Sequence, residues 1–258
     1  MKTFIAEIIQ QAGEICRQGW RDDTSKKVTY KGPKDLVTMV DIAVETFLVG
    51  AIRARYPEHQ IIAEEGSGGG PNRAHRWYLD PIDGTTSYFH KQPYFCISLA
   101  YESAGELHAA GVYAPELEQL FLAEKNAGAL LNDCPITVSS ATKLEDSVLA
   151  TGFACLRSGL QDNNLPVLNK IMPEIRDIRR CGSAALDLCY VAAGKYDGFW
   201  EMNLNVYDVA AGVLMVREAG GIVSDFDGLS RYPEHGIIAS NQHLGEDIRA
   251  LVRPSGTF

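Results

Sequence analysis

A mixed α/β fold is predicted by three features of this 258-residue chain: two apolar stripes at helical spacing, a series of short apolar runs separated by turns, and a second half in which strand-like and helix-like segments alternate. Phe4, Ile5, Ile8, Ile9, Ala12, Ile15 and Cys16 share one face of a first helix. Ile42, Val44, Phe47, Leu48, Ala51 and Ile52 share one face of a second, which Pro57 closes. The runs Gln60–Ala63, Trp77–Leu79, Tyr94–Tyr101, His108–Tyr113 and Gln119–Ala123 follow one another with little room for helices, which predicts an antiparallel sheet. Asp133 and Pro135 mark a further turn, and the glycine-rich segment Gly66–Gly70 is expected to be a flexible turn. It is no P-loop, because no Lys-Ser/Thr follows.

After about Asp146 the expected order is strand Ser147–Gly152, helix Pro166–Ile175, strand Ile178–Cys181 and helix Ser183–Ala193 stopped by Gly194. Strand Tyr196–Glu201, helix Val206–Ala219, strands Ile222–Ser224 and Gly236–Ala239 and a terminal helix Leu244–Val252 complete it. The change of pattern divides the chain into residues 1–145, an α+β half, and residues 146–258, an α/β half, which are expected to form one compact unit.

Composition narrows the function. Charged residues make up 22 %, ordinary for a globular protein. No apolar run approaches the roughly 18–20 residues of a membrane helix, and Lys2, Glu7 and Glu14 argue against a signal peptide. With a net charge of −9 and no basic cluster beyond Arg179-Arg180, neither a nucleic-acid nor a membrane partner is expected. Cys16, Cys96, Cys134, Cys155, Cys181 and Cys189 form no CxxC pair, and they read as reduced thiols of a cytoplasmic protein.

Four acidic segments carry the chemistry. In Trp77-Tyr78-Leu79-Asp80-Pro81-Ile82-Asp83-Gly84-Thr85-Thr86 an apolar strand ends in two acids three residues apart. Pro81 stiffens the backbone between them, and Gly84 permits a turn whose N–H groups, with that of Thr85, are free to face an anion. Glu64-Glu65 follows the strand Gln60–Ala63, Asp208 sits in the first turn of a helix, and Asp41 follows Asp35-Leu36-Val37-Thr38-Met39-Val40. Each has an ordinary alternative: a turn for Asp83-Gly84, solvated surface for Glu64-Glu65, a helix cap for Asp208 and Asp41. Taken together they form a set of hard oxygen donors at the ends of several elements, which suits Mg²⁺ and substrate phosphate. Two such ions about 3.5–4 Å apart clamp the attacking and leaving oxygens of a phosphoryl transfer. Two unit charges 4 Å apart cost about 4 kcal/mol at an effective dielectric of 20, so without a cation the cluster would repel phosphate.

These segments, with Gly182-Ser183-Ala184-Ala185 and Asp208-Val209-Ala210-Ala211 running on to Glu218-Ala219-Gly220-Gly221, resemble the inositol monophosphatase family of lithium-sensitive, magnesium-dependent sugar phosphatases over nearly the whole chain. The resemblance implies a layered αβαβα sandwich, a homodimer and a phosphoric monoester hydrolase that acts on inositol monophosphate through a metal-activated water. It implies two or three Mg²⁺ held by Glu64, Asp80, the carbonyl of Ile82, Asp83 and Asp208, which puts the metal motifs mainly in residues 1–145. Glu64, Thr85 and Asp41 would activate the water; Asp83, Gly84, Thr85, Ser183, Ala184, Glu201 and Asp208 would bind substrate. Two positions depart from the family: Ser87 where Asn is usual and Tyr207 where Trp precedes the Asp. Both resemble histidinol-phosphate phosphatases, so that activity, another sugar-phosphatase activity (fructose-1,6-bisphosphatase, NADP phosphatase) and a non-catalytic phosphate-binding protein stay open as alternatives. An Asp-nucleophile phosphatase is disfavoured by the Asp-x-x-Asp spacing, since that chemistry uses Asp-x-Asp.

Overall fold

The computed structural model describes residues 1–22, 28–32 and 35–253. The opening stripe forms α1 (Lys2–Arg21). The hairpin β1 (Val28–Gly32) and β2 (Asp35–Thr38) leads into α2 (Met39–Arg55). Helix α2 starts with a capping box, Thr38 as N-cap and Asp41 at the third position.

A seven-stranded sheet follows: β3 (His59–Ala63), β4 (Asn72–Asp83), β5 (Cys96–Ser103), β6 (Glu106–Ala114), β7 (Gln119–Glu124), β8 (Ala129–Leu131) and β9 (Cys134–Ile136), neighbours in chain order. The short helix α3 (Thr85–Phe89) interrupts the path from β4 to β5. Every pairing from β4 to β9 is antiparallel, as the consecutive short runs predict. The β8–β9 turn holds Asn132 and Asp133 both at positive φ (48° and 63°), the form a two-residue hairpin requires.

The pair β3–β4 departs from the expectation, because it is parallel. Residues 64–71 are too few for a helical crossover, and the chain reverses twice instead. Gly69 pairs antiparallel with Ile61, donating to its carbonyl at 2.9 Å and accepting from its amide at 2.8 Å. The returning segment lies so close to β3 that a Cβ at Gly68 would sit 2.3 Å from the Ile61 carbonyl oxygen, and one at Gly70 2.1 Å from that of His59. The glycines are there for close approach, and the segment expected to be flexible is pinned. Arg53 of α2 adds bonds to the carbonyls of Ser67 and Gly68, both at 3.1 Å.

The second sheet has the order β11-β10-β12-β14-β13, with β10 (Val148–Thr151) parallel to β11 (Asp177–Arg179) and β12 (Gly198–Glu201). Strand β14 (Ile237–Ser240) is antiparallel to β12 and β13 (Ile222–Ser224). The helices are α4 (Ala154–Arg157), α5 (Leu165–Ile171), α6 (Ala184–Ala192), α7 (Val206–Glu218) and α8 (Gly245–Val252).

The layers stack α–β–α–β–α. Ile5, Ile9, Leu48 and Ile52 of α1 and α2 pack with Trp77 and Leu79 on one face of the seven-stranded sheet. Tyr78 points to the other face and joins α6 and α7, which fill the space between the sheets. Leu149, Trp200 and Ile238 bury the outer face of the second sheet with Ile248 of α8. Burying each such side chain contributes about 1.5–3 kcal/mol. Glu218, in the Glu-Ala-Gly-Gly segment, accepts the backbone N–H groups of Asn126, Ala127 and Gly128 and so holds the β7–β8 turn against the end of α7. Among the described residues no helix is long and apolar enough to cross a membrane.

Candidate active site

Strand β4 runs on through both acids rather than stopping before them. Its antiparallel register with β5 breaks between Asp80 and Asp83, around Pro81, and this turns Asp83 toward α6. By alternation Asp80 shares the face of Tyr78 and looks toward α7, where Asp208 occupies the first turn. Glu64 lies one residue beyond β3, and its amide extends the ladder to the Leu79 carbonyl at 3.2 Å. These four acids, with Ile82, Gly84, Thr85, Ser183, Ala184 and Glu201, line one cavity of about 560 Å³. Asp41 lies behind it, and Thr85 Oγ1 reaches Asp41 Oδ1 at 3.3 Å and the Ile82 carbonyl at 3.1 Å.

Three of the aspartates use one oxygen at a helix N-terminus and keep the other. Asp41 Oδ2 accepts the amide of Thr38 at 2.9 Å and its hydroxyl, which caps α2. Asp208 Oδ2 accepts the amide of Asn205 at 2.6 Å, at the start of α7. Asp83 Oδ2 accepts Ser183 Oγ and the amide of Ala185, both at 2.7 Å, at the start of α6. Capping and a role in the site are therefore compatible: each cap fixes a carboxylate through one oxygen and frees the other for a different partner, which in Asp41 is the Thr85 hydroxyl. The Ser183 hydroxyl is committed to Asp83 and also accepts the Leu186 amide.

The electrostatics show what the cluster lacks. Burial pushes the Asp80 carboxyl well above its ordinary range, and Glu64, Asp83 and Asp208 push it further. Burial raises Asp208 as well, with Asp83 adding to it. Burial raises Asp83 to about 6 although the bonds from Ser183 and Ala185 oppose it. Asp41 rises to about 7 for the same reason, against its Thr38 bonds. Asp80 Oδ1 is buried with no hydrogen-bond partner. A set of mutually repelling carboxylates with an unpartnered buried oxygen fits a hard divalent cation. Among the described residues no three His, Cys, Asp or Glu side chains close into a preformed cage. They wall an open cavity instead, which suits an ion that keeps several waters and shares substrate oxygens.

Glu201 ends β12 and is 5 % exposed, so it is no surface acid. Its Oε1 accepts the Ala154 amide at 3.0 Å, and its carboxylate fills the space a Cβ would take at Gly152, 2.2 Å from Oε2. Burial raises it to about 7. Of the two unusual positions, Tyr207 lines the cavity beside Asp208. Ser87 is buried and is not among the lining residues; its hydroxyl donates to the Cys181 carbonyl at 3.5 Å.

Arg157, Arg180 and Asp187 also line the cavity and were missed in the sequence. The exposed guanidiniums of Arg157 and Arg180 both lower the pKa of Glu201. Asp187 is 2 % exposed, with one unpartnered buried oxygen. Its signal was a single acid in the otherwise apolar run Ala-Ala-Leu-Asp-Leu-Cys-Tyr-Val-Ala, every residue of which is buried.

The inositol monophosphatase family model matches residues 1–256. The chain is 40 % identical over 255 residues to the Nus factor SuhB of Salmonella typhimurium, covering 98 % of this chain and 96 % of that one. It is 38 % identical over 253 residues to the inositol-1-monophosphatase of Rhizobium meliloti, covering 97 % and 95 %. The crystal structure of the extragenic suppressor protein suhB from Bartonella henselae superposes with a TM-score of 0.90 at 36 % identity, covering 98 % of each chain. By family model, sequence and fold, the chain belongs to the inositol monophosphatase family, a family of phosphoric monoester hydrolases.

Proposed function

We propose that the protein hydrolyses inositol 1-phosphate or a closely similar polyol phosphate by direct attack of water, with Mg²⁺ as cofactor and Li⁺ as inhibitor. The observation that carries the reading is the convergence of Glu64, of Asp80 and Asp83 on β4, and of Asp208, from three separate segments of the chain, on one cavity wall where Asp80 Oδ1 has no partner. Two or three bound Mg²⁺, held by these acids and the Ile82 carbonyl, would neutralise the wall, lower the pKa of water and offset charge on the leaving alkoxide.

The protein's own groups do the rest. Thr85 donates a hydrogen bond from its hydroxyl to Asp41 Oδ1, 3.3 Å away, which turns its oxygen lone pair toward the cavity to accept from and orient the attacking water. Glu64, on the same wall, accepts a proton from that water. The amides of Gly84 and Thr85 meet no acceptor among the described residues and suit a phosphoryl oxygen. Ala184 and Glu201 border the space left for the alcohol, where the Glu201 carboxylate accepts hydrogen bonds from ring hydroxyls. Both halves, 1–145 and 146–258, wall the cavity, which supports their acting as one unit. The six free cysteines support a cytoplasmic protein, and the exposed apolar side chains Leu160, Leu165 and Met172 support a homodimer.

Tyr207 keeps histidinol phosphate as a second reading, in which Glu201 pairs with the substrate amine. Substrate comparison with Glu201→Gln separates the two. The expected result is a wild-type kcat/KM higher for inositol 1-phosphate and a loss of about tenfold in the variant, since an amide still accepts a hydrogen bond. A wild-type kcat/KM tenfold higher for histidinol phosphate, with that substrate hit hardest by the variant, overturns the substrate assignment. No turnover of any phosphomonoester overturns the enzymatic reading.

A further inference from the structure

Helix α2 holds two catalytic segments one turn apart. Asp41, in its first turn, meets the Thr85 hydroxyl. Glu45 lies four residues on, about 6 Å along the axis on nearly the same face. It is 1 % exposed. Its Oε2 accepts the amide of Glu65 at 2.7 Å, and its Oε1 accepts the amide of Ser67 at 2.8 Å and its hydroxyl at 2.7 Å. Three donors from Glu65 and Ser67, one and three residues beyond Glu64, thus converge on one carboxylate of a helix about twenty residues earlier in the chain.

We infer that Glu45 is a positioning residue, which sets Glu64 in register with the Thr85–Asp41 pair through one rigid helical turn. Rigid spacing matters because a group displaced by about 1 Å can cost a hundredfold in rate. A carboxylate suits this position because each oxygen serves as an acceptor for a separate amide, and charge-assisted bonds are short and strong. A glutamine at 45 has one acceptor oxygen and presents its NH₂ to an N–H or O–H donor, so at least one of the three bonds is lost. Arg53 supplies the control. It grips the same loop from the same helix, but through the carbonyls of Ser67 and Gly68, three and four residues beyond Glu64.

The inference rests on the reading that Glu64 serves the reaction, and the test separates the two. Wild type, Glu45→Gln and Arg53→Gln are compared by Mg²⁺ titration calorimetry, thermal unfolding and steady-state kinetics with inositol 1-phosphate. Glu45→Gln should bind Mg²⁺ about tenfold to a hundredfold more weakly and lose kcat to a similar extent, with KM at saturating Mg²⁺ within about twofold of wild type. Arg53→Gln should keep wild-type Mg²⁺ affinity while losing comparable thermal stability. Equal Mg²⁺ affinity in wild type and Glu45→Gln, or equal losses in both variants, overturns the positioning role. Should Glu45→Gln fail to fold, Ser67→Ala removes one of the three bonds and should weaken Mg²⁺ several-fold; unchanged affinity there overturns the inference. A wild type that binds Mg²⁺ but turns over no phosphomonoester overturns the proposed function instead, while the calorimetric comparison still decides on Glu45.

Discussion

Asp83→Asn is expected to yield a folded protein whose kcat/KM for inositol 1-phosphate falls by about a thousandfold or more, roughly 4 kcal/mol of transition-state stabilisation. Asp83 both anchors α6 and lines the cavity. Its Oδ2 takes the Ser183 hydroxyl and the Ala185 amide, both at 2.7 Å, and so anchors the start of α6 to the end of β4. An asparagine of the same shape keeps an oxygen for those donors, so the anchor survives. The NH₂ group then takes the place of the remaining oxygen, on the wall shared with Asp80 and Asp208. A donor there repels a cation and removes one negative charge from the cluster. Circular dichroism and thermal unfolding check the fold, and steady-state kinetics the loss. Wild-type turnover in the folded variant removes Asp83 from the site. Asp83→Ala, which abolishes both roles, should be less stable than Asp83→Asn.

Thr85→Ala should lower kcat by about 10²–10⁴-fold with Mg²⁺ affinity changed by no more than about twofold. The Thr85 hydroxyl has one proton and two acceptors within 3.3 Å, Asp41 Oδ1 and the Ile82 carbonyl. Whichever it serves, the oxygen is left to accept from water, and alanine cannot. The carboxylates proposed to hold the cation should stay in place, because the Thr85 hydroxyl bonds to Asp41 and the Ile82 carbonyl rather than to Asp80, Asp83 or Asp208. The kinetic signature is therefore a drop in kcat at saturating Mg²⁺. A large loss of Mg²⁺ affinity with unchanged kcat contradicts the orienting role and makes Thr85 a support for the cation instead.

The helices were legible because their apolar stripes are long and regular: α1 and α2 appear where the 3.6-residue spacing places them. The string from Asp80 to Thr86 stood out because Pro81 between its two acids and Gly84 after them constrain the backbone path. The β3–β4 pairing was not legible. Its parallel register depends on the loop doubling back, and glycines that permit close approach look in sequence like glycines that permit motion. Strand β4 was read as ending at Leu79 because the polar residues beyond it break the apolar run, although Asp80 and Ile82 are buried. Glu45 and Glu218 were illegible for another reason. A glutamate on a helix reads as solvated, and nothing local shows that its acceptors serve amides about twenty or ninety residues away. The capping readings of Asp41 and Asp208 were sound as far as they went; what local pattern cannot show is that the second oxygen of Asp41 meets the Thr85 hydroxyl and that Asp208 lines the cavity.

The proposed site is a cation-dependent hydrolytic one, built by four carboxylates from three segments of the chain. The most direct measurement is hydrolysis of inositol 1-phosphate by the wild-type protein after exhaustive chelation, followed by titration with Mg²⁺. The chelated protein should show no turnover above background, recover on adding Mg²⁺, and gain thermal stability over the same titration as the cation relieves repulsion at Asp80, Asp83 and Asp208. Full turnover by the chelated protein would contradict it.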